Sequence, residues 1–197
     1  MKFKRIITIL VAILIFYFGF MFAMKKYVYP YKYAEYVNKY SEEYELDPYL
    51  VLAVIKTESD FDKTAVSKKD AKGLMQIMDT TGEWVAKEIG INYFMTSMMF
   101  DPELNIKIGC WYLKNLKEEF NNNLDLVLAA YNGGSGNVNK WLSHEEYSTD
   151  GENLDYIPFP ETKKYVNKVK VNYNIYRYLY DKWGAVFKNS SLFMSFN

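Results

Sequence analysis

Glu58 closes an apolar run, Val51-Leu52-Ala53-Val54-Ile55, with Lys56 and Thr57 between. A carboxyl group set against apolar neighbours ionises reluctantly, which makes it a usable general acid near neutral pH. Two clusters of polar residues in apolar settings follow, Gly73-Leu74-Met75-Gln76-Ile77-Met78 and Ala129-Ala130-Tyr131-Asn132-Gly133-Gly134. A further one, Ile157-Pro158-Phe159-Pro160-Glu161-Thr162, leads into Tyr165-Val166. Gln76 offers amide donors and an acceptor, and Met78 an apolar wall. Tyr131 and Asn132 stand just before glycines, where backbone can approach a ligand closely. Together these residue types suit acid/base work on a glycan. Singly, each has a plainer explanation: a solvated helix end, a turn with methionine filler, a glycine cap, and a glutamate favoured by a helix dipole.

Other chemistries find no residues to run on. There is one cysteine, Cys110, and one histidine, His144. Zinc sites and Ser-His-Asp or Cys-His catalysis are therefore excluded, and no metal or other cofactor is expected. Cys110 lies among Ile106, Ile108, Trp111 and Leu113 and reads as a small core residue rather than a reactive thiol, with no partner for a disulfide. The net charge is zero, but residues 1–40 carry seven Lys/Arg against one Glu, and the remainder 17 against 23 Asp/Glu. A mildly acidic body speaks against nucleic acid as the partner.

The elements that must position these groups begin with an uncharged stretch of 19 residues, Ile6 to Met24, flanked by Lys2, Lys4 and Arg5 before it and Lys25 and Lys26 after it. This suffices for a membrane-spanning helix. Its end, Phe20-Met21-Phe22-Ala23-Met24, makes a poor cleavage site, which favours a retained anchor over a removed signal peptide. The flanking charges are nearly balanced, so they give only a weak preference for a cytoplasmic N-terminus. The expected organisation is an anchor over 1–26, a stalk over 27–40, a catalytic domain over 41–185 and a tail over 186–197. Helices are expected at about 33–44, at 48–59 behind the Asp47-Pro48 cap, at 80–89, from Asp101-Pro102 onward, at 124–131, at 136–142 and at 161–182. No stretch alternates with period two, so the chain reads as mainly α.

The ordered motifs resemble those of lytic transglycosylases of the soluble (Slt) type, related in fold to goose-type lysozyme. The resemblance covers about residues 41–180. It rests on Glu58-Ser59, Gly73 to Met78, Ala130 to Gly133 and Glu161 to Val166, with Asn105-Ile106, Gly109 and Tyr112-Leu113 fitting the intervening helix. It implies a lysozyme-like helical domain behind an N-terminal transmembrane helix, acting outside the membrane on peptidoglycan glycan strands. Glu58 would be the single catalytic acid/base, and the product a 1,6-anhydro-muramic acid end. Ser59, Ser67, Gln76, Met78, Tyr131, Asn132, Glu161 and Tyr165 would bind substrate or orient Glu58. The sequence departs from the family's pattern at Asp79, where Pro is common, at Gly133, where Ala is usual, and at Lys163, where Arg is usual. Two alternatives stay open. One is a goose-type hydrolase using Asp60, Asp62 or Asp70 to activate water; the other is a non-catalytic glycan-binding scaffold.

Overall fold

The structure is a computed structural model that describes residues 2–188, with side chains described for residues 3–181. Eight α-helices occur among them: α1 Lys2–Ala23, α2 Ala34–Glu43, α3 Pro48–Glu58, α4 Asp79–Glu88, α5 Pro102–Glu119, α6 Leu124–Gly133, α7 Ser135–Leu142 and α8 Pro160–Lys188. Among the described residues there is no β-strand, only isolated bridges pairing Val66 with Lys72 and Lys72 with Ile77. The mainly α expectation holds. A short 3-10 helix, Thr96–Phe100, was not foreseen. From residue 189 the expected tail lies outside the described residues.

Tyr33–Ile175 form one compact unit. At its centre lies α3, where Val51 to Ile55 are wholly buried. A helix apolar on every side belongs in a core. Asp47 starts it, its carboxylate accepting the Tyr49 N–H at 2.8 Å ahead of Pro48. Helix α5 begins the same way, with Asp101 accepting from Leu104 N ahead of Pro102. The second half of the expected stalk is not a tether. Helix α2 packs on α3 and α5, so this unit starts near residue 33 rather than 41.

Helix α8 fastens α3 at both ends. Tyr173 Oη donates to Asp47 Oδ2 at 2.6 Å, while Asn172 Nδ2 donates to Thr57 Oγ1 at 2.9 Å and Lys168 Nζ to the Thr57 carbonyl at 3.3 Å. The residue after Thr57 is Glu58. These bonds fix the position of the last turn of α3.

Among the described residues, the second unit contains 2–32 and 176–188. Helix α1 continues through a π-helical turn, Met24–Val28, and the stretch Phe3–Val28 is long and apolar enough to cross a membrane. Most of its large side chains, such as Phe16 and Phe22, are exposed. The polypeptide after this helix is held to the end of α8 by tyrosines. Tyr180 Oη donates to Tyr29 O at 2.8 Å, and Tyr176 Oη donates to Pro30 O at 3.2 Å.

Candidate active site

Residues from α3, the 67–78 loop, α6 and the start of α8 line a cleft of about 480 Å³: Glu58, Ser67, Lys68, Lys69, Ala71, Gln76, Met78, Tyr131, Asn132 and Glu161. Seven of the nine residues named from the sequence therefore face one space. The other two lie behind it. Ser59 Oγ donates to Leu74 O at 2.8 Å, tying the end of α3 to the 73–78 segment. Tyr165 is buried against Glu58.

The Glu58 carboxyl is pushed up to about 7, chiefly by burial, with the Tyr165 hydroxyl and the Lys168 ammonium opposing the shift. Two tyrosines flank it, Tyr165 buried and Tyr131 half-buried, and neither supplies a well-formed hydrogen bond. Tyr131 Oη donates to the Met75 carbonyl at 2.9 Å. Tyr165 Oη has no hydrogen-bond partner of good geometry, although it lies near enough to Glu58 to hold its pKa down. Both phenols are pushed far up by burial and by the neighbouring Glu58, so they stay neutral donors. A carboxyl with little compensation keeps its proton.

The 73–78 segment is shaped by a residue outside the cleft. Asn105 on α5 is fully buried; its Nδ2 donates to Lys72 O at 3.0 Å and Met99 O at 2.9 Å, and its Oδ1 accepts from Met75 N at 2.8 Å. Gly73, at φ +75°, lies against Asn105 and Met99 O where a Cβ would collide. Gln76, at φ +49°, donates its amide hydrogens to Ala65 O at 3.1 Å and Gly73 O at 2.9 Å. Its donors are thus engaged within the loop, leaving Oε1 as an acceptor for a ligand. Asn132 has the opposite arrangement. Its Oδ1 accepts from Thr162 Oγ1 at 2.9 Å, which leaves its NH2 to donate. Met78 is 40% exposed and forms apolar wall.

The departures from the family's pattern have local partners. Asp79 pairs with Lys72 at 2.7 Å, and Lys72 also pairs with Asp70 at 2.9 Å, closing the base of the loop. A Cβ on Gly133 would come within 3.2 Å of Thr162 Oγ1, the group that holds Asn132. Lys163 lies over the Tyr156 ring at 5.3 Å, away from the cleft.

The aspartates considered as water activators are engaged elsewhere, and none lines the cleft. Asp60 pairs with Lys56 at 2.8 Å, Asp62 accepts from the backbone and side chain of Thr64, and Asp70 pairs with Lys72. The second carboxylate in the wall is Glu161, on the exposed first turn of α8. Cys110 is buried, as expected for a core residue.

Lys68, Lys69 and the role of Asn105 were not read from the sequence as parts of the site. A polar residue amid the apolar stripe Leu104, Ile106, Ile108 was the available signal for Asn105. The lysines carried none beyond their closeness to Ser67.

Residues 35–154 match the family described as the transglycosylase SLT domain. The chain is 34% identical over 152 residues to the soluble lytic murein transglycosylase of Escherichia coli K12, covering 76% of this chain and 24% of that protein. It is 35% identical over 167 residues to the membrane-bound lytic murein transglycosylase C of Pectobacterium atrosepticum, covering 74% of this chain and 47% of that one. Its fold superposes on the 70 kDa soluble lytic transglycosylase of E. coli with a TM-score of 0.68 and 32% identity, across 76% of this chain and 25% of that chain. An inactive Glu-to-Gln mutant of the Pseudomonas aeruginosa enzyme Slt gives 0.66 and 27%, across 85% and 29%. The chain thus spans from about a quarter to under half the length of these proteins. It belongs to the SLT-domain family of soluble-type lytic transglycosylases, within the lysozyme-like superfamily.

Proposed function

We propose that this protein is a membrane-anchored lytic transglycosylase that cuts peptidoglycan glycan strands without adding water. The reading rests above all on one observation: a half-buried Glu58, raised to about 7, facing a cleft in which the alternative aspartates are absent. Protonated Glu58 gives its proton to the oxygen joining N-acetylmuramic acid to N-acetylglucosamine. Positive charge then grows at the anomeric carbon, shared with the substrate's own N-acetyl group. The Glu58 carboxylate next takes a proton from the 6-hydroxyl of the same muramic acid, which closes on that carbon to leave a 1,6-anhydro end.

Tyr165 has a hydroxyl hydrogen free to stabilise the carboxylate once it forms, while Tyr131 keeps oxygen lone pairs for a protonated Glu58. Asn132 donates to and Gln76 accepts from sugar substituents. An internal nucleophile needs only to be held in place, because its effective concentration is very high. A hydrolase uses a second carboxylate placed to direct water, and the engagement of Asp60, Asp62 and Asp70 in the loop disfavours that alternative. The stretch Phe3–Val28 and the membrane-bound relative support membrane attachment, read here as a single-pass anchor; the catalytic unit is placed outside the cytoplasm because the proposed substrate lies there.

Product analysis tests this. Digestion of purified sacculi should release fragments with 1,6-anhydro ends, and Glu58→Gln should bind sacculi without releasing any. Reducing ends would instead select the hydrolase, and undiminished release by Glu58→Gln would overturn the assignment of the acid.

A further inference from the structure

Two lysines in the wall of the cleft have no part in that chemistry. Lys68 and Lys69 line the same cleft as Glu58, yet neither ammonium has an ion-pair or hydrogen-bond partner among the described residues. This is unexpected beside Lys72, three residues after Lys69, which is paired with both Asp70 and Asp79. It is also unexpected in a body that carries more acidic than basic residues after position 40.

The turn that carries them is fixed. Ser67 Oγ accepts from Lys69 N at 3.2 Å and Ala71 N at 3.1 Å, Ser67 N donates to Ala71 O at 2.9 Å, and Asp70 adopts φ +64°. Below it, the Lys72 ion pairs close the loop. The backbone bearing the two cations is therefore ordered before substrate arrives, which lowers the entropy lost when they meet an anion. Sugar rings offer them only neutral hydroxyl and amide groups. Where a stem peptide is attached, the lactyl carboxyl of muramic acid is tied up as an amide, and the anions on the strand are the carboxylates of the peptide itself.

Resting on the proposed function, we infer that Lys68 and Lys69 bind stem-peptide carboxylates, so that the cleft selects glycan bearing charged peptides. They are specificity determinants, distinct from the proton-transfer machinery. Being exposed, they act through pairs that salt screens.

The test uses the full chain in mild detergent and soluble, uncrosslinked glycan strands freed of phosphate polymers, with amines acetylated. One batch keeps its peptide carboxylates; in the other they are converted to neutral methylamides. For wild type the neutral strands should show a KM roughly threefold to tenfold higher, from exposed pairs of modest strength. That ratio should shrink at high salt, fall to near one in Lys68→Ala/Lys69→Ala, and persist in Lys68→Arg/Lys69→Arg. Because the readout is a ratio, a general loss of folded protein does not imitate it. A wild-type ratio of one, or an unchanged ratio in the alanine variant, overturns the inference. If wild type cleaves neither batch, the catalytic reading fails, and equilibrium binding of the two batches by the same variants then decides the lysines independently.

Discussion

Glu58 and Glu103 are the same residue type in opposite circumstances. Glu103 lies in the first turn of α5, where a helix favours negative charge, and it accepts from Lys39 Nζ at 2.7 Å and Tyr40 Oη at 2.8 Å. These partners hold its carboxyl below the ordinary value, Lys39 most of all. Glu58 closes α3 at the opposite helix end, and burial lifts it to about 7. It also has a tyrosine and a lysine nearby. The difference lies first in burial, and then in the weak compensation: Lys168 reaches Thr57 O, Tyr131 is bonded to Met75 O, and Tyr165 offsets the burial only in part. The raised value at Glu58 is made chiefly by burial, which the neighbouring groups offset only in part.

The comparison can be broken most severely at Glu58 itself. Glu58→Gln should lower cleavage by about 10²–10⁴-fold, the usual range for a lost general acid, with strand binding retained in a pull-down. The same variant should be more stable than wild type at neutral pH. An unfolded chain ionises this carboxyl near 4.5 and the folded one near 7, so wild type is progressively destabilised across that interval as pH rises. Above pH 7 the gain in Glu58→Gln should be roughly 3 kcal/mol, and at pH 4 it should vanish; denaturant melts on both sides of that interval check this.

The pH profile sharpens the comparison next. If Glu58 alone carries proton transfer, kcat/KM should fall tenfold per unit above about pH 7 and show no acid limb from a second carboxylate. A bell-shaped profile would point to a water-directing partner.

The tyrosines should separate in sign. Tyr131→Phe removes the Met75 O bond and should lose about 1–2 kcal/mol in thermal melts as well as activity. Tyr165→Phe deletes a buried hydroxyl without a well-formed partner, so stability should hold or rise slightly. Because Tyr165 lowers the Glu58 value, its removal should move the alkaline limb upward. The smallest effect belongs to Glu103→Gln, which should leave cleavage unchanged. Its stabilising contribution, present above the ordinary carboxyl range, should already be lost in wild type at low pH.

Much of the helical layout could be read directly. Asp47-Pro48 and Asp101-Pro102 start α3 and α5 as capped helices, because a proline at the first position gives up no bond and an aspartate before it supplies one. Boundaries without such signals moved. Helix α2 joined the compact unit Tyr33–Ile175, where its Val37 and Tyr40 are buried. Residues 96–100 formed a 3-10 turn with no periodicity long enough to announce it. The cleft-lining residues were legible where they sat in ordered motifs, and a residue that shapes the cleft from a distance in sequence was not. Asn105 holds Met75 from 30 positions away.

The amino-acid order alone determined the reaction's raw material: one carboxyl at the close of an apolar helix, no thiol or imidazole pair, and an uncharged N-terminal stretch sufficient for a bilayer. Those are local properties, set by residue type and spacing. Which donors stand unengaged beside Glu58, and which hydrogens of Gln76 and Asn132 remain for a ligand, was decided only when α3, α5, α6 and α8 packed together. Hydrogen-bond satisfaction is a competition among groups brought close by the whole fold, and no single segment contains its outcome.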